Sequence, residues 1–182
     1  MKLVDKLVIA LALCTLTSMS FAKEPPHIKS MMGQVQLQGL GRLNFWGFHV
    51  YDANLYRGAT KDSQDFALEL QYQKAFSGEA IANRTAQEMK NLGVADTQAA
   101  AWGKELASIL PNVEPGQTIS AVYIPKQGTS FFYEGKKISQ IQGTDFAKAF
   151  FGIWLDSRTS APKLRADLLG QGCPPQLISG VC

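Results

Sequence analysis

Arg42, Asn44, His49 and Tyr51 lie within one short stretch, GRLNFWGFHVYDANLY, residues 41–56. A guanidinium beside a phenol can hold a carboxylate or phenolate through charge-assisted hydrogen bonds. An imidazole in the same place can take up a proton near neutral pH. Whether the four groups act together depends on how the chain runs between them. In one straight strand Arg42 and Tyr51 would stand about 30 Å apart, on opposite faces. A two-residue turn at Trp46-Gly47 instead pairs Phe45 with Phe48, Asn44 with His49, Leu43 with Val50 and Arg42 with Tyr51. Alternation then puts Leu43, Phe45, Phe48 and Val50 on one face, and Arg42, Asn44, His49 and Tyr51 on the other. Trp-Gly is not a favoured hairpin dipeptide, although Gly47 tolerates a positive φ. The polar face reads in two ways, as an anion clamp or as an ordinary solvated surface with Arg42 and Tyr51 as a cross-strand pair.

Other chemistries find little support. The only histidine besides His49 is His27, a poor basis for a zinc site. There is no glycine-rich phosphate loop, no serine nucleophile elbow and no Cys/His pair, so no cofactor or metal is expected. Arg57 and Arg84 read as surface charges. The formal net charge is +3 and no basic cluster occurs, which argues against nucleic-acid binding.

The N-terminus reads as a cleavable export signal. Lys2 and Lys6 precede the apolar run Leu7–Leu16, and Ser20-Phe21-Ala22 supplies small residues before a cut after Ala22. Thr15, Thr17 and Ser18 interrupt the run, making it too short for a permanent span. An exported, periplasmic, monomeric protein is expected, with no integral membrane span. Beyond the signal of residues 1–22, residues 23–170 form one domain and 171–182 a tail. In an oxidising compartment, Cys173 and Cys182 of GCPPQLISGVC are most simply a disulfide closing that tail.

The remaining pattern sets the scaffold. A short strand is expected at Val35–Gln38, and Phe66–Tyr72 alternates as a half-buried strand should. Ser77 caps a helix that Gly93 ends, and a second helix runs from about Thr97 to Leu110, with Pro111 stopping it. Strands at Thr118–Ile124, Thr129–Tyr133 and Lys136–Ile141 follow, separated by turn residues. Phe146, Phe150, Ile153 and Trp154 form the wide apolar face of a third helix; these aromatics are most simply core, or the floor of a hydrophobic cavity. Pro162 opens the last helix, whose Leu164, Leu168 and Leu169 face inward. Runs of strands, then helices, then strands, then helices specify an α+β fold with a mostly antiparallel sheet and helices packed on one face.

With these stretches in order, the chain resembles the chalcone isomerase-like superfamily. The resemblance runs from GLGRLNFWGFHVYDANLY through LELQYQKAFSGEAI and LPNVEPGQTISAVYIP to FFYEGKKISQI, FAKAFFGIWL and LRADLLG. It implies an open-faced β-sandwich, a large antiparallel sheet with helices layered on it. It also implies one of two activities. Isomerases of the family close a chalcone to a flavanone, with an arginine orienting the phenolate and Thr, Tyr and Asn around the ketone. Fatty-acid-binding relatives keep the arginine and place a tyrosine at the first threonine position, so that the pair holds a carboxylate. By position Arg42 matches the arginine, Tyr51 takes the binding-protein choice, and Thr144 falls near a late-helix Thr/Ser. The helix of residues 77–92 has no tyrosine, and Asn83 or Asn91 fits the asparagine only with a shifted register. The expectation is a non-catalytic binder of a fatty acid or a similar amphipathic or phenolic anion, through Arg42, Asn44, His49, Tyr51 and Thr144. The alternatives are an intramolecular lyase using Arg42, His49, Tyr51 and Thr144, or a ligand-free interaction module.

Overall fold

The computed structural model describes residues 24–60 and 62–178. The segment read as a signal, residues 1–22, lies outside them, as does Cys182. Among the described residues, six antiparallel strands form one sheet in sequence order: β1 (Val35–Phe45), β2 (Phe48–Gly58), β3 (Phe66–Tyr72), β4 (Thr118–Ile124), β5 (Gly128–Tyr133) and β6 (Lys136–Ile141). The described residues also form the helices α1 (Pro26–Met32), α2 (Gly78–Asn91), α3 (Asp96–Ile109), α4 (Thr144–Leu155) and α5 (Pro162–Leu169). The expected α+β architecture is therefore the observed one. The strand expected at Val35–Gln38 is the first part of an 11-residue β1 that continues unbroken into the hairpin.

Strand alternation divides the apolar side chains between two cores. Leu55, Phe66, Leu68, Ala121, Tyr123 and Phe131 point to the side covered by α2–α5. There Phe150 meets Phe131 at 5.2 Å, Phe151 at 5.1 Å and Trp154 at 5.3 Å between ring centroids. The first two pairs are edge-on, an arrangement that adds roughly 0.5–1.5 kcal/mol each beyond area burial. Ser77 caps α2 as its sequence predicts, its hydroxyl accepting from Ala80 N at 3.1 Å.

The alternate residues Tyr56, Ala67, Val122 and Phe132 point the other way and pack with Ile28 of α1. The expectation of helices on one face only is thus corrected by α1, too short to announce itself by periodicity. His27 fixes it in place. Its Nε2 lies 2.9 Å from Ser120 Oγ, which donates to Glu69 Oε2 at 3.3 Å. Burial pushes His27 below its ordinary value and Glu69 above its own. The histidine is neutral when docked, so its contribution is complete above the unfolded value of 6.5 and fades as pH falls through the lower folded value. Glu69 acts oppositely at lower pH. Thermal melts from neutral to mildly acidic pH should show a fall in Tm that His27→Gln reduces; an unchanged slope would remove His27 from this role.

Candidate functional site

The β1–β2 turn falls at Trp46-Gly47, with Phe45 opposite Phe48 and Asn44 opposite His49, as the segregation argument requires. One step further the register shifts. Leu43 lies opposite Tyr51, and Arg42 opposite Asp52. Val50 is the extra residue of a β-bulge, and because side chains alternate, one inserted residue turns all that follow it to the other face. The expected Arg42–Tyr51 cross-strand pair is therefore corrected. Arg42 Nε donates to Asp52 Oδ1 at 3.1 Å, the same oxygen lies 3.0 Å from His49 Nε2, and Asp52 Oδ2 accepts from Gln73 Nε2 at 3.2 Å.

Tyr51, turned by the bulge, packs against the helix-side core. Its ring meets Tyr72 edge-on at 5.8 Å and its hydroxyl accepts from Trp154 Nε1 at 2.9 Å. An indole N–H only donates, so the Tyr51 O–H itself is left to donate elsewhere. Burial first, then the nearby Glu88 charge, push Tyr51 up to about 12 against the lowering effects of the Trp154 bond and Arg84. It is a neutral donor throughout the ordinary pH range.

A cavity of about 740 Å³ opens beside it, within the size range of small-molecule sites. Leu70, Tyr72, Phe76, Ile119, Phe131 and Phe150 form apolar walls. Arg42, Asn44 and Phe45 contribute from β1, and Arg84, Thr85 and Glu88 from α2. Glu88 is 6 % exposed. It accepts from Arg84 Nη2 and from Ser160 Oγ, the latter at 2.9 Å. Thr85 spends its hydroxyl on Ile81 O at 2.8 Å. The cavity therefore has apolar walls and a polar end, where a phenol O–H and a guanidinium can meet an anion.

The sequence-derived residues divide accordingly. Tyr51, Arg42 and Asn44 line the cavity, whereas His49 and Thr144 are not among its lining residues. His49 is engaged by Asp52, and Thr144 is exposed at the start of α4. Arg84, read as a surface charge, lines the cavity, and so do Thr85, Glu88 and Trp154. A signal for the α2 residues existed. Ile81, Thr85 and Glu88 recur at i, i+4 and i+7, a stripe in which a carboxylate at an otherwise inward position asks for a partner. Asn83 lies in a separate cleft between α2 and α3, and Asn91 Nδ2 donates to Glu88 Oε2 at 3.4 Å.

The cavity thus lies between an open antiparallel sheet and the helices α2–α5 on one of its faces, with its polar groups gathered at one end. The chalcone isomerase-like family model matches residues 18–170, and the chain belongs to that family. It is 27% identical over 139 residues to an uncharacterized protein of Haemophilus influenzae, covering 74% of this chain and 68% of that one. A fatty-acid binding protein of Arabidopsis thaliana superposes with a TM-score of 0.61 at 12% identity, covering 75% of this chain and 87% of that structure. Among the described residues no helix is long and apolar enough to cross a membrane.

Proposed function

We propose that this protein is an exported, periplasmic, non-catalytic carrier of a fatty acid or a similar amphipathic acid. The observation that carries the reading is the Tyr51 hydroxyl, which accepts from Trp154 at 2.9 Å and keeps its own proton for an acceptor at the polar end of an apolar cavity. Arg84 lines that cavity beside Tyr51, whereas the Arg42 guanidinium is turned to Asp52 on the other face of the sheet. An acid would place its carboxylate against the Tyr51 hydroxyl and Arg84, and its chain along Leu70, Ile119 and Phe131. The fatty-acid binding protein among the structural relatives supports the same ligand class. Binding is favoured over ring closure because α2 offers no tyrosine, and because His49, the base a lyase would need, does not line the cavity. The export signal of residues 1–22 and a Cys173–Cys182 disulfide belong to the same proposal.

Titration of the delipidated protein with the fluorescent fatty acid cis-parinaric acid tests it. Saturable binding is expected, and Tyr51→Phe should weaken it about tenfold, the worth of one hydrogen bond to a charged group. Equal affinity in wild type and Tyr51→Phe would remove Tyr51 from the site.

A further inference from the structure

The β1–β2 turn exposes aromatic side chains, of which Trp46 and Phe48 do not line the cavity. Trp46 is 86% exposed, and Phe45 and Phe48 beside it are 52% and 65% exposed. Both central residues of the turn have positive φ, 51° at Trp46 and 81° at Gly47. That is the hairpin geometry in which Asn-Gly is favoured, and a bulky L-residue there is held against its steric preference. The indole is left almost wholly in solvent, so the fold accepts the strain without gaining a buried side chain. Strain of this kind, kept where packing does not require it, points to a role outside the fold.

Cations flank the tip. Lys74 Nζ lies 5.8 Å from the Phe48 ring centroid and the Arg84 guanidinium 5.6 Å from that of Phe45. Arg84 is also paired with Glu88, and Arg42, further down β1, with Asp52. Aromatic rings ringed by Lys and Arg suit the boundary between headgroups and acyl chains, where the rings enter and the cations meet anionic phosphates. A convex two-residue turn offers little area to another protein, whereas a fluid bilayer closes around it. We propose that the Phe45–Phe48 turn is a docking tip for an anionic bilayer surface. Phe45 also lines the cavity. Docking thus brings the cavity wall to the membrane, where an amphipathic acid can enter without its chain crossing water. The docking itself does not depend on which ligand the cavity holds.

Vesicle flotation tests this with the full mature chain. Wild type should float with vesicles of equimolar phosphatidylcholine and phosphatidylglycerol, less with phosphatidylcholine alone, and less at high salt. Lipids brominated in the acyl chain should quench the Trp46 emission, the change being read against Trp46→Asn. The double variant Trp46→Ser/Phe48→Ser should lose roughly tenfold or more in vesicle affinity. Trp46→Asn should lose vesicle affinity while its Tm rises, which a merely structural indole would not do. Neither Trp46 nor Phe48 lines the cavity, so cis-parinaric acid should bind these variants as it binds wild type in the absence of vesicles. Absence of flotation, or flotation unchanged in the double variant, overturns the proposal while leaving acid binding to its own titration.

Discussion

Glu88→Gln should bind a long-chain fatty acid about tenfold more tightly than wild type. The Glu88 carboxylate holds the Arg84 guanidinium, and it is buried, at 6% exposure. An incoming carboxylate competes for the same charged donor, and removing the competitor releases a charge-assisted interaction. Adding Arg84→Gln in that background should then cost about 10- to 100-fold relative to Glu88→Gln alone. The order of substitution matters. Arg84→Gln alone would strand a buried carboxylate and confound affinity with stability, whereas the double variant leaves two neutral amides. Parinaric acid titrations of the three proteins separate the steps. Equal affinity in Glu88→Gln and the double variant would place Arg84 outside the ligand's reach.

Gly39→Ala should unseat the last helix. A β-carbon at Gly39 would overlap the Leu168 carbonyl oxygen and stand 2.5 Å from that of Asp167. Neighbouring Gly41 is under the same helix, its β-carbon position 2.7 Å from Leu164 Cδ1. At Gly41 the end of the Leu164 side chain can yield, although the Asp167 β-carbon, 2.8 Å away, is tied to the helix; at Gly39 the obstacle is the helix backbone itself. Overpacking of this type costs roughly 1–3 kcal/mol or more. Denaturant melts should show that loss for Gly39→Ala and a smaller one for Gly41→Ala. Equal and negligible changes would mean that α5 does not ride on β1 as described. Because Pro162, Lys163 and Leu164 line the cavity, Gly39→Ala should also weaken acid binding without touching the polar end.

The scaffold was legible in the chain because its elements follow strong local rules. Phe66–Tyr72 alternates with period two, Ser77 is an N-cap, and Phe146, Phe150, Ile153 and Trp154 fall on one helical face; each element appears where these patterns put it. The turn at Trp46-Gly47 was legible for a different reason, since only a fold there separates the apolar from the polar side chains. What escaped was the bulge. Val50 is a single residue in an otherwise consistent alternation, and no residue type around it marks the slip. That slip exchanged the partner of Arg42 and moved Tyr51 to the cavity side. Arg84 escaped because an exposed helical arginine looks like any solvated charge until the sheet places an apolar cavity beneath it. Helix α1 escaped because its role rests on His27 meeting Ser120, 93 positions away, a contact no local pattern encodes.

On the proposed function, the cavity holds an acid by its charged head as well as by its chain. Calorimetric titration of the delipidated protein with palmitate and, separately, with methyl palmitate tests it most directly, since the two differ at the head alone. Saturable binding of palmitate, with the ester at least about tenfold weaker, is the predicted result. Equal affinity for acid and ester, or no binding of either, would contradict it.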